Sequence, residues 1–278
     1  MDRFGGIQRL YGKASIENFQ RAHVCVVGIG GIGSWCVEAL ARSGIGRITM
    51  IDLDEICISN INRQLHAMDG EIGRQKTSAM ASRVKAINPD CQVMCKETFF
   101  SERNAEEILN SGFDYLIDAI DHVREKSLLL AGCKQRGIPA ISCGAAGGLR
   151  DPSLIRIDDL SRCHNDSLIN KVRKTMRSQY GFPAGEDTKK KIKARKFGIN
   201  CVFSSESPVF EQCDGEVTPH KPSRNQDAAS KLNCASGFGS ITHITATFGL
   251  FAVSKCLAEL STPSSGRPPV SVLEQNNI

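Results

Sequence analysis

The segment V-V-G-I-G-G-I-G-S-W, residues 26–35, places a Gly-x-Gly-Gly-x-Gly turn directly after a run of apolar residues. Glycines in such a turn let backbone N–H groups approach a phosphate at the start of a helix. Asp52 and Asp54 follow the next apolar run about 20 residues later, where an acidic side chain can accept hydrogen bonds from ribose hydroxyls. The pattern predicts a nucleotide-binding turn, for NAD or for ATP, built on Gly28, Gly30, Gly31 and Gly33.

Strands and helices alternate on both sides of this turn. Hydropathy predicts strands at residues 23–27, 47–51, 91–95, 115–120 and 139–143. It predicts helices between them at 31–42, 74–87, 104–110 and 124–136. This alternation is typical of an α/β, Rossmann-like fold with a mostly parallel sheet that carries helices on both faces.

The alternation breaks after about residue 150. The later sequence predicts strands at 154–157 and 201–204, a basic helix at 166–179 and a long final helix at 235–260. We therefore expect one domain over residues 1–260. Its nucleotide-binding core spans about 22–150, and its substrate-side extension of mixed strands and a final helix spans about 151–260. Residues 261–278 are expected to be a disordered tail.

Polar residues after the second and fourth strands favour ATP over NAD. Asn60 and Arg63 lie close behind the second strand, and Lys76 lies near the start of the next predicted helix. Arginine pairs with phosphate oxygens through two donors, and an ammonium group can reach the same phosphates. Asp121 ends the fourth strand, at the sheet edge where ligands bind, and a carboxylate among phosphates suits Mg²⁺.

These motifs together resemble the ubiquitin-activating-enzyme-like adenylation family, whose members adenylate a carboxylate with Mg-ATP. The resemblance rests on the glycine turn, D-L-D-E-I-C-I-S-N-I-N-R-Q at 52–64, Lys76 and I-D-A-I-D at 117–121. It extends to R-F-G-G-I-Q-R-L-Y-G at 3–12 and to the final helical segment up to about residue 258, so it covers nearly the whole chain.

Three details resemble one branch of that family, the tRNA threonylcarbamoyladenosine dehydratases. The chain has twelve cysteines but no Cys-x-x-Cys pair, so the zinc motif of the relatives that activate sulfur carriers is missing. The opening motif and N-C-A-S-G-F-G-S at 233–240 are similar to that branch, as is G-A-A-G-G at 144–148. The resemblance implies ATP-dependent dehydration of threonylcarbamoyladenosine beside the tRNA anticodon. It also implies a homodimer and partners such as a cysteine desulfurase or a sulfur acceptor.

The resemblance also implies roles for individual residues. The ribose goes to Asp52, with Asp54 beside it, and the phosphates go to the glycine turn and to the motif that includes Gln64. Arg63, Lys76 and Asp121 are the implied catalytic residues, and Asp121 is the implied Mg²⁺ ligand. The chain has Gly6-Ile7 where family members often carry an ATP-contacting arginine. Arg9 is then the candidate replacement, and Arg3 is the alternative.

Positive charge is concentrated between residues 171 and 196. This segment holds ten basic and two acidic residues, a net charge of +8, whereas the whole chain has a net charge of +5. Such a patch favours contact with nucleic-acid phosphates, although a solvated loop is the alternative. The candidate tRNA-binding residues are Lys171, Arg173, Lys174, Lys189, Lys190, Lys191, Lys193, Arg195 and Lys196.

The same sequence is compatible with other functions. Adenylation of a sulfur-carrier or ubiquitin-like C-terminus is the main alternative. A non-catalytic module and an NAD oxidoreductase are the other two.

Cys234 is interpreted as a buried small side chain rather than a catalytic thiol. Segment 235–260 is long enough to span a bilayer but rich in Ser and Thr, so internal packing is expected rather than membrane insertion. The sequence shows no secretory signal, which predicts reduced thiols and a cytoplasmic protein.

Overall fold

A seven-stranded sheet forms the centre of the computed structural model, which describes residues 3–185, 195–212, 215–220 and 238–261. In chain order its strands are β1 (His23–Val27), β2 (Arg47–Ile51), β3 (Gln92–Lys96), β4 (Tyr115–Asp118), β5 (Ala140–Cys143), β6 (Ile155–Asp159) and β7 (Asn200–Ser204). Their spatial order is β3-β2-β1-β4-β5-β7-β6, and only β6 runs antiparallel to its neighbour. A separate hairpin pairs β8 (Phe210–Glu211) with β9 (Val217–Thr218).

Helices cover both faces of the sheet, so the predicted α/β fold is confirmed. They are α1 (Gly5–Tyr11), α2 (Lys13–Arg21), α3 (Gly33–Arg42), α4 (Lys76–Ile87), α5 (Ala105–Leu109), α6 (Val123–Arg136), α7 (Ser167–Gln179) and α8 (Thr242–Ser261). Successive side chains of β1 point to opposite faces. Val24 and Val26 join the core under α3 and α8, whereas Cys25 and Val27 join the core under α5 and α6.

The strand order reverses between β1 and β4. The chain leaves β1 towards β2 on one side, whereas β4 and β5 extend the sheet on the other side. In parallel sheets of this kind, ligands bind outside the carboxyl ends of the strands at this reversal. The glycine turn after β1 and the segment after β4 therefore lie where a nucleotide is expected.

Helix α8 is the one described helix with the length and composition of a membrane span. It packs instead against α3 and the sheet, with Ile244, Phe248, Ala252 and Cys256 buried at intervals of four residues. A Cβ on Gly249 would lie 2.8 Å from the carbonyl oxygen of Ile32, so this glycine permits the close approach of α3 and α8. In this structure α8 is a core helix.

Several predicted boundaries were wrong by a few residues. The final helix begins at Thr242, because the carbonyl oxygens of Gly239 and Ser240 accept hydrogen bonds from the neighbouring loops at Gly148 and Asn62 rather than from a helical turn. Strand β4 ends at Asp118 rather than at residue 120, since the Asp118 carboxylate accepts a hydrogen bond from the Ile120 N–H and turns the chain. Helix α3 begins at Gly33, after the turn is complete. Residues 262–278 lie outside the described residues.

Candidate functional site

Two of the four glycines are required by close packing within the turn. Gly28 has a φ of +87°, and a Cβ there would lie 2.8 Å from the carbonyl oxygen of Ala119 in the segment after β4. A Cβ on Gly33 would lie 1.8 Å from the carbonyl oxygen of Gly28. These glycines let the turn, α3 and the segment after β4 come together at the reversal of the sheet.

The other two glycines face the motif that follows β2. A Cβ on Gly31 would lie 3.3 Å from Arg63 Cγ, and a Cβ on Gly30 would lie 3.8 Å from Gln64 Nε2. The structure therefore brings the glycine turn together with residues 62–64, the Asn-Arg-Gln motif.

Asp52 and His66 hold the Ile29 peptide groups in the middle of the turn. Asp52 Oδ2 accepts a hydrogen bond of 2.6 Å from the Ile29 N–H, and Asp52 Oδ1 accepts one of 2.8 Å from the Asp54 N–H. His66 Nε2 lies 2.9 Å from the Ile29 carbonyl oxygen, and since a carbonyl only accepts, the imidazole donates. Both side chains are buried. Asp52 thus fixes the turn to the end of β2, and its contact with ribose stays a prediction.

Sequence reasoning missed His66. The only signal was its position two residues after Gln64 in the same segment. Burial lowers the pKa of the imidazole, so it is neutral at pH 7 with its proton on Nε2. Its Nδ1 has no hydrogen-bond partner among the described residues.

Asn60 builds the loop that presents Arg63. Its Oδ1 accepts a hydrogen bond of 3.0 Å from the Cys57 N–H, and its carbonyl oxygen accepts from the Arg63 and Gln64 N–H groups. Asn60 is buried and shapes the loop, and its contact with a phosphate stays a prediction.

The backbone of Arg63 is held by two helices. The Trp35 indole of α3 donates to the Arg63 carbonyl oxygen at 3.2 Å, and the Thr245 hydroxyl of α8 does so at 3.3 Å. The guanidinium is partly exposed and donates from Nη1 to the Ser59 carbonyl oxygen and to Asn62 Oδ1. Within the described part of the chain these bonds use one of its three nitrogens, so donors remain for a phosphate beside Gly31. Gln64 is buried, and its Oε1 has no partner among the described residues.

Lys76 and Asp54 form an ion pair at the start of α4. Lys76 Nζ lies 2.6 Å from Asp54 Oδ2, and the lysine side chain is 7% exposed whereas the aspartate side chain is 51% exposed. The ammonium group is therefore fixed by a carboxylate that is itself open to solvent at the carboxyl edge of β2.

Asp121 lies in the segment after β4 and is almost fully exposed. Its side chain is 88% exposed, and its Oδ1 lies 2.8 Å from His122 Nδ1. Mg²⁺ is commonly held by one or two carboxylates together with phosphate oxygens, and a solvent-exposed carboxylate at this edge fits that arrangement. Among the described residues, no group of three or more His, Cys, Asp or Glu side chains could hold a metal ion by itself.

A buried ion pair, also missed by sequence reasoning, supports the segment of Asp121. Asp118 Oδ2 lies 2.8 Å from Lys126 Nζ and accepts a 2.7 Å hydrogen bond from the Ser142 hydroxyl. Lys126 Nζ also donates to the Ile120 carbonyl oxygen at 2.8 Å. This ion pair thereby joins β4, β5 and α6 behind the carboxyl edge of the sheet, where the glycine turn lies; we call this the nucleotide edge.

Arg3 and Arg9, in the opening motif, lie away from the nucleotide edge of their own chain. Arg3 Nη1 donates to the carbonyl oxygen of Ile87, at the opposite end of α4 from Lys76. Arg9 is exposed on α1, which packs on α2, and Phe4 just before α1 contacts Gly44 near the amino end of β2. The structure does not bring Arg9 or Arg3 to the glycine turn within one chain.

The basic segment begins on α7, which crosses from the carboxyl edge of the sheet to its amino edge. Asp166, just before α7, accepts a hydrogen bond from the Ala145 N–H after β5, whereas the other end of α7 lies near Phe197. Lys171 and Lys174 are exposed on α7, but Arg173 is bonded to Asn170 and to the Cys163 carbonyl. Arg195 and Lys196 are exposed before β7. Outside the described residues lie Lys189, Lys190, Lys191, Lys193 and Cys234.

The fold and this edge define a nucleotide-binding α/β protein of the adenylating class, with a glycine turn, an arginine, a buried lysine and an exposed aspartate at the reversal of a mostly parallel sheet. A family model described as the ThiF family matches residues 6–273, and the chain belongs to that family.

Three comparisons place the chain among known relatives. It is 49% identical over 258 residues to the tRNA threonylcarbamoyladenosine dehydratase of Haemophilus influenzae and 44% identical over 258 residues to that of Escherichia coli. Each alignment covers 93% of this chain and 93% of the relative. The crystal structure of the Escherichia coli enzyme in complex with ATP matches with a TM-score of 0.79 and 41% identity, over 93% of both chains. The sequence-based assignment to the adenylation family is confirmed.

Proposed function

We propose that this chain is an ATP-dependent, ligase-type enzyme that dehydrates N6-threonylcarbamoyladenosine next to the anticodon of tRNA. The observation that carries the proposal is the packing of the Arg63 side chain against Gly31, with the buried Lys76 ammonium at the same edge. Relatives named for this activity cover 93% of the chain. A triphosphate at the turn would meet backbone N–H groups and two cations.

The reaction has two steps. In the first, an oxygen of the threonyl carboxylate attacks the α-phosphorus of ATP, and the bond to the β-phosphate oxygen breaks and releases pyrophosphate. In the second, a nucleophilic atom of the same threonylcarbamoyl group attacks the activated carbonyl carbon and closes a ring, AMP leaves with the carboxylate oxygen, and one proton is lost from the attacking group. The substrate therefore loses the elements of water, and no protein nucleophile is needed.

The protein's contribution is to position the reactants and neutralise charge. The carboxylate is already ionised at neutral pH, so the first step needs no general base. Arg63 and Lys76 would stabilise the charge that develops on pyrophosphate, and Asp52 and Asp54 would accept hydrogen bonds from the ribose hydroxyls. Asp121 is the residue that would hold Mg²⁺, which when bound offsets the charge of the triphosphate.

In a homodimer, Arg9 of the second copy would take the place of the ATP-contacting arginine of the opening motif. Arg9 lies away from the turn in its own chain, so only a second copy could bring this residue to the nucleotide. Large apolar side chains are exposed on both partners of such a contact. Ile58 is 73% exposed in the segment that carries Arg63, and Leu10 is 82% exposed beside Arg9.

The remaining assignments are also proposals. Lys171, Lys174, Arg195 and Lys196 are exposed and would contact tRNA phosphates. The described cysteines are all free thiols, which fits a reducing cytoplasm. Partners from sulfur metabolism stay a prediction.

The test is to incubate the purified chain with Mg-ATP and tRNA bearing threonylcarbamoyladenosine, and to measure the nucleoside mass and the released AMP. Loss of one water that depends on ATP, with one AMP per modified nucleoside, is the expected result. An unchanged nucleoside would overturn the proposal. Pyrophosphate exchange driven by a small carrier protein in the same experiment would favour the alternative, adenylation of a protein C-terminus.

A further inference from the structure

A groove of about 410 Å³ lies at the amino edge of the sheet, between the ends of α6 and α7. We call it the amino-edge groove. It is distinct from the nucleotide edge because α6 and α7 end here, whereas the glycine turn lies where the parallel strands end. Its lining includes Lys134, Gln135, Tyr180, Phe182, Lys196 and Phe197.

The aromatic wall of the groove is held in place by several contacts. The Phe182 and Phe197 rings lie 4.9 Å apart, and the Arg177 guanidinium lies 5.3 Å from the centre of the Phe197 ring. Phe197 is buried, whereas Tyr180 and Phe182 are partly exposed. The groove therefore has a fixed aromatic base and two aromatic side chains that a ligand can reach.

A buried carboxylate anchors the backbone beneath this wall. Asp159 accepts hydrogen bonds from the Phe197 N–H at 2.9 Å and from the Gly198 N–H at 2.7 Å. Although burial opposes ionisation, these bonds and the one from the Ser161 N–H lower the pKa of Asp159, so it stays charged. The floor of the groove is therefore bonded to the end of β6.

The rim of the groove is positively charged. Among the described residues that line the groove, two are lysines, both exposed, and none is acidic. Exposed Arg195 adjoins one of them. Aromatic side chains beside cations suit an unpaired nucleotide, because every base can stack on a ring while its phosphate meets an ammonium group.

We propose that the amino-edge groove binds an unpaired nucleotide of the tRNA, apart from the nucleotide that reacts. The proposal rests on the proposed function, since it assigns a second contact for the same substrate. Helix α7 has 13 residues and is about 20 Å long, so the groove and the reacting edge are several nucleotides apart. Lys171 and Lys174 are exposed on the helix between them. Contact in the groove thus contributes to tRNA binding and not to the chemical step.

The test measures dehydration kinetics and tRNA affinity for Tyr180→Ala and Lys134→Glu in the full chain. The KM and Kd for tRNA should rise about fivefold or more, with kcat and the KM for ATP unchanged. Tyr180→Phe keeps the ring and should bind tRNA like the unaltered chain. Lys85→Glu, an equal charge change at an exposed position on α4, controls for general electrostatics.

Photo-crosslinking locates the contact directly. After irradiation of the complex with the modified tRNA, nucleotide-linked peptides should include residues 131–135 or 180–184. Unchanged tRNA affinity for both groove variants, or an effect of Lys85→Glu equal to that of Lys134→Glu, overturns the proposal. If that overturning result is found while the unaltered chain dehydrates tRNA in the same assays, only the groove proposal fails. If the unaltered chain does not dehydrate tRNA, the proposed function itself fails.

Discussion

Lys126 and Asp118 form an ion pair of 2.8 Å in which neither side chain has any exposed surface. The lysine lies on α6, and the aspartate is the last residue of β4. Because Lys126 also donates to the Ile120 carbonyl oxygen, the pair sets the path of the segment that leads to Asp121. In the same segment, the Ala119 backbone lies against Gly28, so the ion pair also helps to shape the glycine turn.

Removal of one partner of this pair should destabilise the whole domain. Lys126→Met leaves the Asp118 carboxylate buried without its cation, which should lower the free energy of unfolding by about 3–5 kcal/mol. Urea denaturation followed by circular dichroism measures the change. The control is Lys96→Met, which breaks the surface pair with Glu107 and should cost about 1 kcal/mol or less. Similar losses for the two variants would contradict the assigned role of the buried pair.

Arg63→Ala should impair adenylation with little effect on folding. The guanidinium is partly exposed, and within the described residues it bonds to Ser59 and Asn62, which are themselves exposed, so its loss leaves no buried partner among them unsatisfied. ATP–pyrophosphate exchange supported by tRNA should fall by at least about 100-fold, as is typical when a group that stabilises developing charge is removed. Arg63→Lys should recover only part of the rate, because an ammonium cannot form the bidentate contact. Arg74→Ala, at an exposed arginine of the same segment, is the matched control, and a full rate in Arg63→Ala would show the assignment wrong.

His66 is expected to act as a positioning residue for the glycine turn. Gln can place its Nε2 donor near the Ile29 carbonyl, whereas Leu fills the space without a donor. His66→Leu should therefore raise the KM for ATP several-fold more than His66→Gln does. Thermal denaturation of both variants separates this effect from lost stability. Equal KM values at equal melting temperatures would mean that the imidazole only fills space.

Local sequence motifs predict most residues of the candidate site. The ion pairs behind it and the position of Arg9 depend instead on long-range packing. The glycine turn, Asp52 and the Asn-Arg-Gln motif are local signals, and the parallel topology brings them to one edge. The pairing of Lys76 with Asp54 was not foreseen, although both residues were assigned to the site. Lys126 and Asp118 are eight residues apart, and their pairing depends on how α6 packs behind β4. The location of Arg9 depends on how α1 and α2 fold against the amino edge, which no motif encodes.

His23 should make stability fall as the pH is lowered. Its imidazole lies 2.8 Å from the Thr49 hydroxyl in a buried position, and burial, with Arg47 nearby, lowers its pKa to about 4. His23 takes up a proton near pH 6.5 in the unfolded chain but only near pH 4 in the folded chain. The free energy of unfolding is therefore unaffected by His23 above pH 6.5, and it decreases as the pH falls from 6.5 towards 4. From pH 7 to pH 5 the unaltered chain should lose about 2 kcal/mol more than His23→Gln in urea titrations. Parallel losses in the two proteins would contradict this.

The exposed lysines of α7 should contribute to tRNA binding mainly through charge. Lys171 and Lys174 project from a helix whose buried side carries Ile169, Val172 and Met176, so replacement by Glu should leave the packing intact. Each lost phosphate contact should weaken binding to all tRNA sequences alike and reduce the slope of log K against log salt by about 1. Filter binding at several salt concentrations measures both quantities for the double variant. Arg173→Ala serves as a comparison, because its guanidinium bonds to Cys163 and Asn170 and should affect stability more than the salt slope. A double variant with unchanged affinity and slope would return these lysines to an ordinary solvated helix face.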